Sequence, residues 1–275
     1  MTGGSTGIGF AAAEHAARAG ARLVICARRE QPLAQAAARI EHATGQPVTA
    51  VPADISRSED VDRLFDRAAA AGPLAGVVHA AGVLGAIGPI TDTNPTAWLD
   101  TVRINLFGTY LVTRAACRRL SARGQGGSVV LLSGGGAGGP FPNYTAYACS
   151  KIGVVRLTES VALEMSPHNI RVNCVAPGFV ATTIHEETLA AGQAAGAEYL
   201  ARTESELSKG GVPPSVAARA IVFLLSAQSQ GITGRFLAAP YDGYDRWAEH
   251  LEQIRDSDLF TLRRIVPRDR GMDWQ

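Results

Sequence analysis

Tyr147 and Lys151 are the two side chains of this sequence whose types and spacing most directly indicate catalysis. On a helix, residues four positions apart lie one turn apart on the same face. A nearby ammonium group favours the ionised form of a phenol and lowers its pKa from about 10. The pair therefore predicts a tyrosine that donates or accepts a proton near neutral pH. Alone, this spacing is common by chance.

A glycine-rich turn at the start of the chain provides a second candidate site, Thr2-Gly3-Gly4-Ser5-Thr6-Gly7-Ile8-Gly9. Glycines allow the backbone to approach a pyrophosphate, which the amides at a helix N-terminus then stabilise. An alanine-rich stretch and a strand, Leu23 to Cys26, follow at the distance expected of a nucleotide-binding unit. A flexible terminus is the alternative interpretation. The missing Gly-Lys-Ser/Thr excludes an ATPase-type phosphate loop.

Two arginines follow that strand, where a dinucleotide-binding unit usually recognises the adenine ribose. Arg28 and Arg29 stand there, and the first acid is Glu30. A guanidinium binds a phosphate through charge-assisted hydrogen bonds, whereas a ribose 2′-hydroxyl is usually bound by an acid. We therefore expect NADP(H) to be favoured over NAD(H), through Arg28. Solvated surface arginines are the alternative.

Short apolar runs alternate with alanine-rich helical stretches along the chain, which predicts an α/β fold, a Rossmann-like doubly wound parallel sheet in a single domain. The chain from Thr182 to Gly211 is polar and contains glycine, and we expect a mobile segment over a site. Residues 1–243 form the predicted NAD(P)-binding domain, and 244–275 a C-terminal extension. That extension packs on the domain or a neighbouring subunit, or contributes to the substrate pocket. The predicted strands are Leu23 to Cys26, Val48 to Val51, Gly76 to His79, Val129 to Leu132, Val172 to Val175 and Phe236 to Ala238.

The composition excludes several classes of function. The 26 basic and 25 acidic residues leave a net charge of +1, so no charge excess indicates nucleic acid or an anionic membrane as a partner. No apolar run reaches the roughly 18 residues of a membrane span, and the N-terminus lacks the features of a signal peptide. We expect a cytoplasmic protein. Four cysteines in apolar stretches predict buried free thiols, with neither disulfides nor a metal site: Cys26, Cys117, Cys149 and Cys174.

Two further motifs complete a family pattern. Asn105 lies in Ile-Asn-Leu-Phe-Gly, and Pro177-Gly178 follows a strand. Together with the glycine turn and the Tyr147/Lys151 pair, they resemble the short-chain dehydrogenase/reductase family, in its compact branch, from Thr2 to about Gly243. The resemblance implies hydride transfer between a nicotinamide and a small carbonyl or alcohol substrate, by a homodimer or homotetramer.

The resemblance also implies roles for individual residues. Tyr147 would exchange a proton with the substrate oxygen, Lys151 would lower its pKa and hold the nicotinamide ribose, and Asn105 would anchor a proton-relay water. Ser133 would be the fourth catalytic residue. The implied cofactor-binding residues, besides Arg28, Tyr147 and Lys151, are Gly3, Ser5, Gly7, Ile8, Gly9, Asp54, Ile55, Ala81, Gly82, Pro177, Gly178, Val180 and Thr182.

The sequence departs from the family pattern around the expected serine. The family's substrate-orienting serine stands thirteen residues before the tyrosine, and here that position is Gly134, with Ser133 one residue earlier. Successive strand residues point to opposite faces, so Ser133 serves only if the following glycines allow the backbone to adjust. A second departure is His79, where the family often has asparagine; we interpret it as a packed strand residue.

The chain also begins at the glycine turn, without the apolar strand that the resemblance places before Thr2. That strand would lie centrally in the sheet, and without it the sheet would contain an apolar slot beside unpaired amides. Four lost aliphatic side chains would cost on the order of 6 to 12 kcal/mol. We hypothesise that the natural protein begins upstream. The alternative is that the C-terminal tail or another chain fills the slot.

Two other functions compete with the oxidoreductase interpretation. A sugar-nucleotide epimerase or dehydratase shares the tyrosine and lysine chemistry, although such chains are usually longer. A non-catalytic dinucleotide-binding module would account for Gly134, but it would not need Asn105, Tyr147 and Lys151. Substrate identity and reaction direction have no readable motif.

Overall fold

The computed structural model describes residues 1–274 as alternating strands and helices. The six strands are β1 (Leu23–Ala27), β2 (Val48–Pro52), β3 (Gly76–His79), β4 (Gly127–Leu132), β5 (Ile170–Ala176) and β6 (Phe236–Ala238). The ten helices are α1 (Gly7–Arg18), α2 (Glu30–Thr44), α3 (Ser58–Ala71), α4 (Pro95–Val102), α5 (Gly108–Arg123), α6 (Thr145–Met165), α7 (Thr183–Ala191), α8 (Ala197–Ser208), α9 (Pro214–Leu225) and α10 (Leu251–Arg255).

All pairings between these strands are parallel. β1 pairs with β2, and β3 to β6 form a second group in chain order. Thr2 joins the two groups, because it bridges Cys26 of β1 and His79 of β3 in parallel register. The predicted α/β, Rossmann-like parallel sheet in a single domain is confirmed. Each strand run expected from the sequence matches a strand to within two residues at either end.

Apolar helix faces cover both sides of the sheet. On one side, α3, α5 and α6 contribute Leu64, Leu120 and Val154 to a shared core. On the other, Ala12 of α1 packs with Ile221 of α9. Strands covered on both faces are apolar on both faces rather than alternating, as residues 129–132 of β4 show. Because the strands are parallel, their carboxyl ends lie at one edge of the sheet.

A slot opens in the sheet between β1 and β3, on the side of Thr2 away from the glycine turn. It has a volume of about 490 Å³ and is lined by Leu23 and Val24 of β1 and Val77 and Val78 of β3. The apolar slot expected from the sequence is therefore present. Within residues 1–274, no residue beyond Leu225 lines it, so the C-terminal tail does not fill it.

The C-terminal segment packs on its own domain. Arg235 donates through its guanidinium to the carbonyl oxygens of Ser257 (3.0 Å), Leu259 (2.9 Å) and Arg255 (3.1 Å). Trp247 is buried, with its ring centroid 4.3 Å from that of Phe260. Gln275, the last residue of the predicted extension, lies outside the described residues. In the part of the chain that is described, no helix has the length and apolar character needed to cross a membrane.

Candidate active site

A cavity of about 810 Å³ lies at the carboxyl ends of the strands and is called the carboxyl-end cavity below. The residues that follow the strands line it: Gly82 after β3, Gly134 after β4 and Pro177 after β5. In open parallel sheets, ligands bind at this edge. Tyr147, Lys151 and the glycine-turn residue Ile8 line the same cavity, so the fold brings together groups that lie far apart in sequence.

Helix α6 positions the catalytic pair. Tyr147 and Lys151 lie one turn apart, as predicted, and both are buried. The Lys151 ammonium donates to the carbonyl oxygen of Leu132 (3.2 Å) and lies 5.5 Å from the centroid of the Tyr147 ring. β4 thus anchors the lysine, and the tyrosine lies beside it against the cavity.

Burial controls the ionisation of both side chains in the free protein. Desolvation lowers the pKa of Lys151 to about 8. It raises the pKa of Tyr147 above its ordinary value, with a smaller contribution from Tyr199. The pKa of Tyr147 is therefore raised where the residue spacing predicted a lowered one, because burial removes the hydration that a phenolate needs. Tyr147 is protonated at neutral pH and ready to act as an acid.

Asn105 holds the cavity wall together from within a single π-helical turn, Arg103–Phe107. Its side-chain oxygen accepts from the amide of Val83 (2.9 Å), and its side-chain nitrogen donates to the carbonyl of Val83 (2.8 Å) and to Ser150 Oγ (3.1 Å). Such π-turns often occur at functional sites. Asn105 thereby fixes the segment after β3 against α6.

Ser133 lies outside the cavity. Its hydroxyl donates to the backbone carbonyl of Lys151 (3.1 Å), and the residue is 3% exposed. The next residue, Gly134, lines the cavity instead. The alternation of side-chain direction continues past the end of β4, so the backbone does not make the adjustment that a substrate-orienting Ser133 required. The expectation that Ser133 completes the catalytic set is wrong in this geometry.

The glycine turn leaves no room for side chains where it meets the sheet. A Cβ on Gly9 would lie 2.2 Å from the carbonyl oxygen of Gly3, and one on Gly3 would lie 2.7 Å from the amide nitrogen of Ala81. The turn leads directly into α1, which begins at Gly7. A glycine backbone at a helix N-terminus fits a pyrophosphate, so the residues present fit a dinucleotide.

The residues implied for the nicotinamide half of a cofactor converge on the carboxyl-end cavity. The lining set from that group comprises Ile8, Gly82, Pro177, Gly178, Val180 and Thr182, together with Tyr147 and Lys151. Gly7 lies at the same place, since a Cβ there would be 3.2 Å from Thr182 Cγ2. The turn and the segment after β5 therefore face each other across the site.

The residues implied for the adenine half lie outside the lining of this cavity. Arg28 follows β1 and is exposed, and no ion pair involves it within residues 1–274. Asp54 accepts hydrogen bonds from the amide (2.9 Å) and hydroxyl (2.8 Å) of Ser56, which fixes its carboxylate after β2. Ile55 is buried against Gly108. Ser5 and Ala81 also fall outside the lining, beside the glycine turn.

His79 connects the end of β3 to the glycine turn. It is 1% exposed, and its Nδ1 shares a hydrogen bond of 2.8 Å with the hydroxyl of Thr2. Burial lowers the pKa of His79 to about 3, so the ring is neutral over the physiological range. This placement agrees with its interpretation as a packed strand residue.

An aromatic cluster beside the cavity was missed from the sequence. The Phe141 ring stacks on Tyr144 (centroids 4.4 Å apart) and meets Tyr199 of α8 edge-on (4.7 Å). Phe141 also lies 6.3 Å from Tyr147. The segment expected to be mobile, Thr182 to Gly211, instead contains α7 and α8 and is held to the site by this cluster. In the sequence, this cluster was indicated by nothing more than aromatic residues within polar stretches.

The cysteines match the prediction in part. Cys26, Cys117 and Cys174 are buried free thiols, but Cys149 is exposed because it lies on the outer face of α6. The expected burial of Cys149 is therefore wrong. Within residues 1–274, no three His, Cys, Asp or Glu residues are grouped as metal ligands.

Comparisons with known proteins agree on one family. Residues 3–240 match the family model described as Enoyl-(Acyl carrier protein) reductase. Dehydrogenase/reductase SDR family member 4 of Homo sapiens is 36% identical over 184 residues, which are 66% of each chain. A short-chain type dehydrogenase/reductase from Mycobacterium ulcerans is 32% identical over 86% of each chain, with a TM-score of 0.76. NAD⁺-bound xylitol dehydrogenase is 25% identical over 86% of this chain and 94% of its own, with a TM-score of 0.78.

Proposed function

Because the chain belongs to the short-chain dehydrogenase/reductase family, whose enzymes interconvert alcohols and carbonyls with NAD(P), we propose that it is an NADP(H)-dependent carbonyl reductase that uses Tyr147 as its acid. The observation that carries the proposal is the placement of Tyr147 and Lys151, buried and one helical turn apart, on the wall of a cavity at the carboxyl ends of the strands.

The chain's own residues supply the proton chemistry. The reduced nicotinamide, when bound, supplies the hydride that adds to the carbonyl carbon. Tyr147 gives its phenolic proton to the carbonyl oxygen, so the products are an alcohol and the oxidised cofactor, with a phenolate left on Tyr147. The Lys151 ammonium stabilises that phenolate, and solvent restores the proton. In alcohol oxidation the same groups act in reverse.

Carbonyl reduction is the direction in which Tyr147 acts as an acid, and it is the direction to assay first. Burial raises the pKa of Tyr147, so the phenol carries its proton before substrate arrives. A reductase needs a protonated acid at that point, whereas a dehydrogenase needs a base. A positive nicotinamide, when bound, would lower the same pKa and support the reverse reaction at higher pH.

The cofactor would be held at its pyrophosphate and at both of its ends. The amides of the turn around Gly3, Gly7 and Gly9 would bind the pyrophosphate, with Ser5 beside them. At the reactive end, Lys151 would bind the nicotinamide ribose, and Thr182 would face the carboxamide. At the adenine end, Asp54 with Ile55 would lie by the base, and Arg28 would bind a 2′-phosphate. Ala81 and Gly82 would flank the ribose.

The preference for NADP(H) depends on Arg28. Its exposed guanidinium follows β1 and is free to pair with a phosphate. We expect NADPH to bind more tightly than NADH, and Arg28→Asp to reverse that order, since a carboxylate accepts from a ribose hydroxyl and repels phosphate. Arg29→Asp is the matched control with the same charge change. Fluorescence titrations decide the point, and equal affinities in the unaltered protein would remove Arg28 from this role.

Assembly into a homodimer or homotetramer is supported by an apolar face on α5 and α6. Phe107 at the end of the π-helical turn, Tyr110 of α5 and Ile152 of α6 are each more than two-fifths exposed, and such a surface is costly to leave in water. We expect light scattering to give at least the mass of a dimer, and Tyr110→Glu to reduce it toward that of one chain.

The decisive test of function is a panel of aromatic aldehydes, aliphatic ketones and hydroxysteroid-type ketones, followed by the loss of NADPH absorbance. Turnover of one class supports the reductase. NADPH binding without turnover of any carbonyl or alcohol would instead favour the non-catalytic binding module.

A further inference from the structure

A run of glycines forms the wall of the carboxyl-end cavity next to Tyr147. Gly134, Gly135 and Gly136 follow β4 directly and line the cavity. No side-chain hydroxyl points into the site from this segment, since Ser133 donates to the carbonyl of Lys151. The wall that faces the reacting oxygen is therefore bare backbone.

Gly134 and the hydroxyl of Tyr147 occupy adjoining space. A Cβ on Gly134 would lie 2.4 Å from Tyr147 Oη, a distance that Cβ atoms essentially never show. Any side chain at this position must displace the tyrosine hydroxyl or the loop. Glycine is thus what allows the Tyr147 hydroxyl to lie directly against the backbone after β4.

The amides of this run are available as donors. Within residues 1–274, the N–H groups of Gly134, Gly135 and Gly136 donate no hydrogen bond to another protein group. The backbone hydrogen bond formed here runs from the amide of Ala137 to the carbonyl of Gly134 (3.3 Å) and closes the turn. Gly134 and Gly136 are half-buried and Gly135 is exposed, so water reaches these donors and a ligand oxygen in the cavity would take its place.

We propose that backbone amides of Gly134–Gly136 hold the substrate's carbonyl oxygen against the Tyr147 hydroxyl, in place of a side-chain hydroxyl. The inference rests on the proposed reductase function. As hydride adds to the carbonyl carbon, the C=O π pair moves onto oxygen; the amides stabilise that negative charge while Tyr147 delivers its proton. Amide donors placed where charge develops are effective because they need no reorganisation.

Gly135 provides a clean test of the amides. Its φ lies outside the left-handed region, and a Cβ there would make an ordinary 3.4 Å contact with Phe141. Gly135→Ala keeps the N–H, whereas Gly135→Pro removes it. With aromatic aldehydes and NADPH, we expect kcat of the proline variant to be at least ~10-fold below that of the alanine variant, toward the ~10²-fold typical of a lost oxyanion donor.

Gly138 supplies the matched control on the same loop, because a Cβ there meets open space. Gly138→Pro and Gly138→Ala should have kcat values within about twofold of each other if the effect at Gly135 comes from its N–H. Equal NADPH affinities and unchanged circular dichroism show that the variants fold. Equal kcat for Gly135→Pro and Gly135→Ala would overturn the proposal.

Gly134→Ser tests the same geometry by adding a side chain instead of removing an amide. If the site lacks a hydroxyl that it needs, this variant gains activity. If Tyr147 already occupies the space, kcat falls and the apparent pKa of the acid in the pH–rate profile shifts. We expect the fall and the shift, and a gain in kcat would contradict the proposal.

Benzamide separates this inference from the function on which it rests. Its carbonyl oxygen accepts the same hydrogen bonds but its carbon resists hydride addition, so calorimetry in the presence of NADP⁺ measures the oxygen site without turnover. We expect Gly135→Pro to bind benzamide at least ~10-fold more weakly than Gly135→Ala, a difference of one lost hydrogen bond to a partial charge. This difference without turnover of any carbonyl would refute the reductase alone. Turnover with no difference in kcat or benzamide affinity would refute the amide site alone.

Discussion

Two cavities lie along the same parallel sheet and differ in what lines them. The carboxyl-end cavity, about 810 Å³, is bordered by Tyr147, Lys151 and the glycine runs. The slot between β1 and β3, about 490 Å³, is bordered by aliphatic and aromatic residues such as Val24, Leu64 and Phe65. Both are largely apolar, but only the first lies where strands end and backbone amides are free.

The difference teaches that cavity size and apolarity alone do not identify a functional site. In the carboxyl-end cavity, burial is combined with a phenol and an ammonium whose ionisation it alters. In the slot, Arg22 is the one titratable side chain on the wall within residues 1–274, and it donates to the carbonyl of Ala71 (2.8 Å). Mutations in the carboxyl-end cavity should therefore change activity, and mutations in the slot should change stability.

The largest effect is expected from Lys151→Met. Removing the ammonium leaves the Tyr147 phenolate without its stabilising charge, so we expect turnover to fall by at least ~10²-fold, the usual contribution of acid–base catalysis. Lys209→Met is the control, since that lysine is 67% exposed at the end of α8. Steady-state rates at saturating NADPH measure the effect. Similar rates for both variants would remove Lys151 from the mechanism.

A smaller effect is expected from filling the slot. Ala68 lines it from α3, whereas Ala69 is exposed on the same helix. Ala68→Leu should raise the free energy of unfolding by up to about 2.4 kcal/mol, at about 0.8 kcal/mol for each of the three added carbon atoms, and leave kcat unchanged. Ala69→Leu should do neither. Urea unfolding compares them, and equal stability of the two variants would show that the slot does not accept the added side chain.

A further effect is a pH dependence of stability that belongs to the carboxyl-end cavity. The pKa of Lys151 is lowered to about 8, so between pH 8 and its ordinary value of 10.5 the unfolded chain binds more protons than the folded one. Stability from this group therefore rises as pH increases through that range. Between pH 7 and 10, we expect the free energy of unfolding in urea to increase more for the wild type than for Lys151→Met. A constant difference between the two would contradict the lowered pKa.

Much of this comparison was predictable from the sequence. The strand Phe236 to Ala238 was predicted with its observed bounds, and β1 was predicted one residue short. Apolar strands covered on both faces and a helical Tyr/Lys spacing are local patterns, so they can be recognised from short stretches of sequence. The slot was expected as well, on the basis of the family resemblance.

The remaining features depend on contacts between distant parts of the chain. The raised pKa of Tyr147 results from burial, which residue spacing alone does not show. The direction of Ser133 was open until β4 was seen to keep its alternation. Tyr199 joins Phe141 across 58 positions, and the helices of that segment gain their order from tertiary packing rather than from their own polar sequence.

Tyr147→Phe tests the central claim most directly, that the carboxyl-end cavity performs acid catalysis with this phenol. The substitution removes one oxygen atom from a side chain that is 8% exposed, so the fold and NADPH affinity should be preserved. We predict that single-turnover oxidation of bound NADPH by an aldehyde from the panel slows by at least ~10²-fold, whereas Tyr110→Phe leaves it unchanged. Unaltered single-turnover rates in Tyr147→Phe, with NADPH bound as tightly as before, would contradict the account.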